Sequence, residues 1–98
     1  MTIWTKRGTK RLWECERYIA LQCLDRLTVL NWHNRVLETV EHLDDFPESG
    51  SIVREFGRND IRQALVGDYR IIYRIRRHAP EILTVRHTRR LITTLQAL

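Results

Sequence analysis

The apolar residues of this chain change period partway along, and that change decides what the chain can fold into. Up to about residue 44 they recur every three or four positions, and from Ile61 to His87 they alternate with polar ones. The first spacing lines one side of a helix; the second lines one side of a pleated strand. The break falls at Asp44 to Ser51, where Pro47 and Gly50 stop a helix. That stretch separates helices from sheet rather than domain from domain, so the 98 residues read as one α+β domain, 1–98.

Around Ile3 and Trp4, residues 2–5 read as a short strand. Leu12, Cys15, Ile19 and Cys23 predict a helix over 10–22 with Thr9 as its N-cap. Leu24, Leu27, Leu30, Val36, Leu37, Val40 and Leu43 predict a second helix over 24–44. The tight connection makes the two an antiparallel hairpin whose apolar stripes need a cover. Trp13 sits beside the first stripe and is expected in the core. Trp32, off the Leu27–Leu30–Leu37 line, is expected outside as an anchor for a partner. Strands are expected at 61–66, 69–76 and 81–87, joined by a Gly67-Asp68 hairpin loop and a His78-Ala79-Pro80 turn. Residues 91–98 read as a short helix or a frayed end.

Charge divides the chain at the same place. Residues 1–50 hold seven Lys or Arg against eight acids, while residues 51–98 hold ten Arg against four acids, which produces the net charge of +5. Arg outnumbers Lys fifteen to two, and a planar fork grips phosphate or carboxylate at two points. In the 69–76 strand, Tyr69, Ile71, Tyr73 and Ile75 share one side, and Arg70, Ile72, Arg74 and Arg76 the other. One face is therefore expected to pack on the helices, with Tyr69 and Tyr73 in the core, and the other to form a water-facing basic platform. Arg62 and Arg86 are candidates to extend that platform, and Arg89 and Arg90 form a basic end. A polyanion or an acidic protein is the expected partner. His87 shares parity with Leu83 and Val85, and three roles stay open for it: a strand-end hydrogen bond, an acid or base, or a partner contact.

Other chemistries find little support. His33, His42, His78 and His87 lack paired ligand spacing, so no metal or cofactor is expected. On one helix Cys15 and Cys23 would lie about 12 Å apart, too far for a disulfide. No apolar run approaches the length of a spanning helix and no basic-then-apolar leader opens the chain, so a soluble intracellular protein is expected.

Five pieces in this order resemble the RelE/ParE superfamily of type II toxin–antitoxin toxins, and more closely its ParE-like (plasmid stabilisation) branch. They are Leu12 with Tyr18 and Ile19; the hinge of Leu43, Phe46, Pro47 and Gly50; Ile61-Arg62; the run from Gly67 through Asp68, Tyr69 and Arg70 to Arg74; and Ile82, Leu83, Val85, His87, Arg89 and Arg90 at the close. The resemblance covers about residues 3–90. It implies an N-terminal strand and a two-helix hairpin packed on one face of a curved, mainly antiparallel sheet. It also implies a bacterial cytoplasmic toxin neutralised by a small acidic or partly disordered antitoxin.

The resemblance leaves two targets. ParE-like members look like inhibitors of DNA gyrase that act by binding; RelE-like members cut messenger RNA on the ribosome. Cutting requires a proton donor or acceptor and cations over the scissile phosphate. The candidates for that are Arg62, Arg70 and Arg86 as cations, with Tyr73 or His87 for the proton. The RelE-type pattern has lysines on the strand before the Gly-Tyr-Arg run, and here no lysine follows Lys10. Arg62, standing near that place, stays protonated and cannot serve as a base. Gyrase inhibition is therefore the favoured expectation, RNA cleavage the first alternative and a non-toxic basic binding module the second. The basic residues expected at target or antitoxin are Arg62, Arg70, Arg74, Arg86, Arg89 and Arg90.

Overall fold

The computed structural model describes residues 1–23 and 25–90; the expectations for Leu24 and for 91–98 lie outside them. The elements are β1 (Ile3–Trp4), α1 (Lys6–Cys23), α2 (Arg26–Asp45), a 3₁₀ turn (Pro47–Ser49), β2 (Ser51–Ile52), β3 (Ile61–Val66), β4 (Tyr69–Arg76) and β5 (Ala79–His87). The strands form one sheet in the order β1-β5-β4-β3-β2. Among the described residues only the β1–β5 pair is parallel. This is the α+β architecture expected.

α1 begins four residues earlier than its apolar stripe suggests, because Thr5, and not Thr9, caps it. The Gly8 amide donates to Thr5 Oγ1 at 2.9 Å, and that hydroxyl donates to the Ile82 carbonyl at 2.7 Å, so one side chain starts the helix and ties it to β5. A Cβ on Gly8 would lie 2.6 Å from the same Ile82 oxygen, and only glycine lets helix and strand come this close. α2 starts at its own cap, Asp25, which accepts from the Leu27 amide at 3.0 Å.

The helix-facing core contains Leu12, Ile19, Trp32, Val36, Val40, Leu43, Val66, Ile71, Tyr73, Ile82 and Val85. Trp13 and Trp32 exchange the places expected of them: Trp13 is 66% exposed and Trp32 only 7%. On α2 the buried stripe runs through Trp32, Val36, Val40 and Leu43. Leu27, Leu30 and Leu37 lie about 100° or more round the helix from it and are exposed. Two apolar stripes share this helix, and the one that fits the sheet carries the β-branched residues and the indole. On α1, Trp13 is about 100° round from Leu12 and lies outside the arc of Leu12, Cys15 and Ile19 that faces the sheet.

A second core lies on the opposite face: Val53, Ile61, Ile72 and Leu83, with Phe56 packed against them. Leu83 arrives there through a bulge. The register steps from Ile72↔Thr84 to Tyr73↔Ile82, leaving Leu83 as the extra residue and switching its face relative to Val85. The expected parity of Leu83 was wrong for that reason, whereas that of Val85 and His87 was right.

The β4–β5 turn is also tighter than expected. It is made by Arg77 and His78, both left-handed at φ 53° and 64°, as a two-residue hairpin turn requires. Ala79 and Pro80 already pair with Arg76 and Ile75.

The second close approach joins the helical half to the sheet. Tyr73, fully buried, donates from its hydroxyl to the Pro47 carbonyl at 2.6 Å and accepts from the Gly50 amide at 3.0 Å. A Cβ on Gly50 would lie 2.3 Å from that hydroxyl. Tyr73→Phe, which leaves two backbone groups without a partner, should cost about 1–3 kcal/mol of unfolding free energy. Tyr73→Ala, which adds a cavity, should cost about 3–5 kcal/mol. Denaturant titration checks both, and a wild-type midpoint for Tyr73→Phe contradicts the latch.

Candidate functional site

Arg70 points away from the helices, as its parity requires, but it is not on a water-facing platform. Only 5% of it is exposed. Its guanidinium donates to both Glu55 oxygens, at 2.7 and 3.4 Å, to Gln63 Oε1 at 3.0 Å and to the Arg90 carbonyl at 2.6 Å. A buried cation requires such a set of acceptors. The group clasps three pieces of chain: the segment after β2, the β3 strand and the end of the described chain. The expectation of an exposed Arg70 is corrected by Glu55, which sits in a loop with no periodicity to announce where it points.

Further arginines of this half, Arg62 of the expected platform and Arg58 outside it, are engaged as well. Arg62 Nη1 donates to the Glu48 and Gly50 carbonyls at 3.0 and 2.9 Å, and its Nε to the Asn59 carbonyl at 3.0 Å. It pairs with Tyr73, which puts the two on the same side of the sheet. Arg58 grips Asp60 with two bonds, at 2.9 and 2.7 Å, and holds that carboxyl below the usual carboxylate range. Arg74 is half-buried opposite Ile61. Burial pushes the Tyr73 hydroxyl up, against the bond from Gly50, so it stays protonated and committed to its latch.

The five residues that would be needed for cutting therefore do not converge. Tyr73 and His87 belong to the helix side and Arg70 to the other. The Arg89 amide donates to His87 Nδ1 at 3.1 Å, which leaves the neutral ring's proton on Nε2. Its ring stands edge-on to Tyr69, 5.3 Å between centroids, and Tyr69 stands edge-on to Trp32 at 5.2 Å. Of the three roles open for His87, the geometry displays the strand-end hydrogen bond.

What does come together lies at that end of the sheet. Arg86, His87, Arg89 and Arg90 from the close of the chain meet Arg11, Glu14, Cys15 and Tyr18 of α1 around a cleft of about 350 Å³. Arg89 and Arg90 are exposed and Arg86 is half-buried. The α1 residues were missed because their helix was expected to hold only a core stripe. The signal was present in the spacing of Arg11, Glu14 and Tyr18, which put a polar edge beside Cys15. Among the described residues no group of three or more His, Cys, Asp or Glu could hold a metal ion. No described helix is long and apolar enough to cross a membrane.

Fold and site together define a small basic α+β module whose central guanidinium groups serve its own architecture and whose rim presents the remainder. A model of the ParE toxin of type II toxin–antitoxin systems, parDE, matches residues 2–92, and the chain belongs to that family. Among solved structures it is similar to one described as the chromosomal ParDE TA system from P. aeruginosa. The TM-score is 0.70 at 15% identity, over 88% of this chain and 92% of that one, a likeness of fold. No curated protein matches the chain in sequence.

Cys15 gives a direct check on the cleft's inner wall. Burial pushes its thiol from 9.0 up to about 11, so the folded state disfavours the thiolate, and this group's contribution to stability declines as pH rises from about 9 towards about 11. In a Cys23→Ser background, alkylation of Cys15 at pH 8 should run well below the rate of a peptide thiol and rise only towards pH 11. A rate equal to that of a free thiol contradicts the packing.

Proposed function

We propose that this toxin acts by binding and inhibiting DNA gyrase rather than by cutting RNA, and that a cognate antitoxin with an acidic segment neutralises it. The observation that carries this reading is the dispersal of the cutting candidates. Arg70 has both terminal nitrogens bonded to Glu55, Gln63 and a carbonyl, and Tyr73 is locked in a backbone latch on the other side of the sheet. General acid–base chemistry needs a proton-transfer group and cations focused on one phosphate; of the five candidates only His87 and Arg86 share a cleft, and there His87 Nδ1 already accepts from the Arg89 amide. Inhibition by binding needs only a surface.

That surface is supported by the exposed cations Arg54, Arg77, Arg89 and Arg90 and by exposed apolar side chains on the helical hairpin, Trp13, Leu30 and Leu37 among them. A disordered acidic segment is drawn to the first and can order against the second. The site of action would be the bacterial cytoplasm.

Purified toxin should inhibit gyrase in a supercoiling assay, leave messenger RNA intact in a translating extract, and lose its effect when the antitoxin is added. Cleaved messenger with supercoiling untouched would establish the endoribonuclease reading instead. Absence of both effects and of any growth defect would make the chain a binding module without toxicity.

A further inference from the structure

We propose that the cleft between α1 and the end of β5 binds a nucleotide, its phosphate among Arg86, Arg89, Arg90 and Arg11 and its base against the exposed ring of Tyr18. The volume, about 350 Å³, lies within the range of small-ligand pockets, about 300–1,000 Å³. Topology explains why a cleft forms there. β1 pairs only with Glu81 and Ile82, so the later part of β5 turns its edge towards α1. Cys15 Sγ donates to the Val85 carbonyl at 3.7 Å across the gap.

Charge points to the ligand. Four guanidinium groups line the cleft with one carboxylate, Glu14, which is bound to Arg11 at 3.1 Å. The Arg86 guanidinium is pulled below its ordinary value by burial first, and then by the like charges of Arg11, Arg90, Arg70 and Arg7. Cations crowded in this way repel one another, and an anion seated among them relieves the repulsion. A phosphate monoester brings between one and two negative charges and three acceptor oxygens, more than a carboxylate offers, and guanidinium forks match it in pairs.

The aromatic lining points to the rest of the ligand. Tyr18 is 57% exposed, and Tyr69 is held edge-on between Trp32 and His87. Aromatic faces beside cations accept bases without regard to sequence. The rim is also built in advance. The Arg90 carbonyl accepts from Arg70 at 2.6 Å, its amide donates to the His87 carbonyl at 3.0 Å, and the Thr88 amide donates to the Asp68 carbonyl at 2.8 Å. These bonds fix the backbone that carries the cations, which lowers the ordering cost when an anion arrives. The nucleotide can be free or form the 5′ end of a single strand, since both present the same phosphate and base.

Amide NMR of the full chain, titrated with AMP, adenosine, inorganic phosphate and a trinucleotide with and without its 5′ phosphate, tests this. AMP should shift the Cys15, Tyr18, Val85 and His87 amides saturably, and adenosine should not. Arg89→Gln and Arg90→Gln, at exposed positions, should each weaken AMP by about tenfold, as should Arg86→Gln where a thermal melt verifies folding. Tyr18→Ala should weaken AMP and leave inorganic phosphate unchanged. Binding of the 5′-phosphorylated trinucleotide assigns a strand end, and binding of AMP alone assigns a free nucleotide; either supports the proposal. Adenosine binding as well as AMP, AMP binding unchanged in Arg89→Gln and Arg90→Gln, or no shifts at millimolar AMP overturns it. None of these readouts depends on gyrase, so the cleft and the target stand or fall separately.

Discussion

The ion pair between Arg70 and Glu55 is the constraint on which the far side of this sheet depends. A guanidinium almost wholly removed from water is tolerable only with acceptors on several sides, and here each acceptor belongs to a different piece of chain. Glu55 comes from the segment after β2, Gln63 from β3, and the Arg90 carbonyl from beyond β5. Satisfying one charge thus fixes three positions relative to β4. The segment that carries Glu55 also carries Val53 and Phe56, which close over Ile61, Ile72 and Leu83. The polar clasp and the small apolar core next to it hold the same loop in place.

With that loop closed, the middle of the sheet is covered on both sides: the helical hairpin on one, the 53–57 segment on the other. The basic surplus of the second half is then divided by geometry. Arg70, Arg62 and Arg58 make internal bonds, and the half-buried Arg86 lies with the exposed Arg89 and Arg90 at the end of β5 beside Arg11. Because Arg70 holds the Arg90 carbonyl, the internal clasp also places the external cations. This link between a structural charge and a surface one explains how so arginine-rich a segment supports both a fold and a docking rim.

Much of this architecture was legible in the sequence. The change of period marked the helix-to-sheet boundary, and the bounds of β3 and β4 followed from alternation alone. Side-chain parity along β4 was right for every residue from Tyr69 to Ile75. What parity could not say was whether the outward side met water, since that depended on a loop acid fifteen residues before Arg70. Leu83 was misplaced because a bulge inserts one residue without leaving a mark in the pattern. Trp13 and Trp32 were exchanged because each helix carries more apolar residues than one face can bury, and the sheet's shape chose among them. Candidate site residues were legible as a set of cations; their division into clasp and rim was a property of tertiary contact.

A double-mutant cycle on Arg70 and Glu55, read by denaturant unfolding, tests the central claim most directly. Glu55→Gln should destabilise by about 3 kcal/mol, since it leaves the buried Arg70 guanidinium uncompensated, and Arg70→Met by less, since the Glu55 carboxylate keeps contact with water. The double variant should recover part of the sum, for a coupling of about 1.5–3 kcal/mol. Single costs below about 0.5 kcal/mol that add without coupling would mean an ordinary surface pair and an outer face that is open after all.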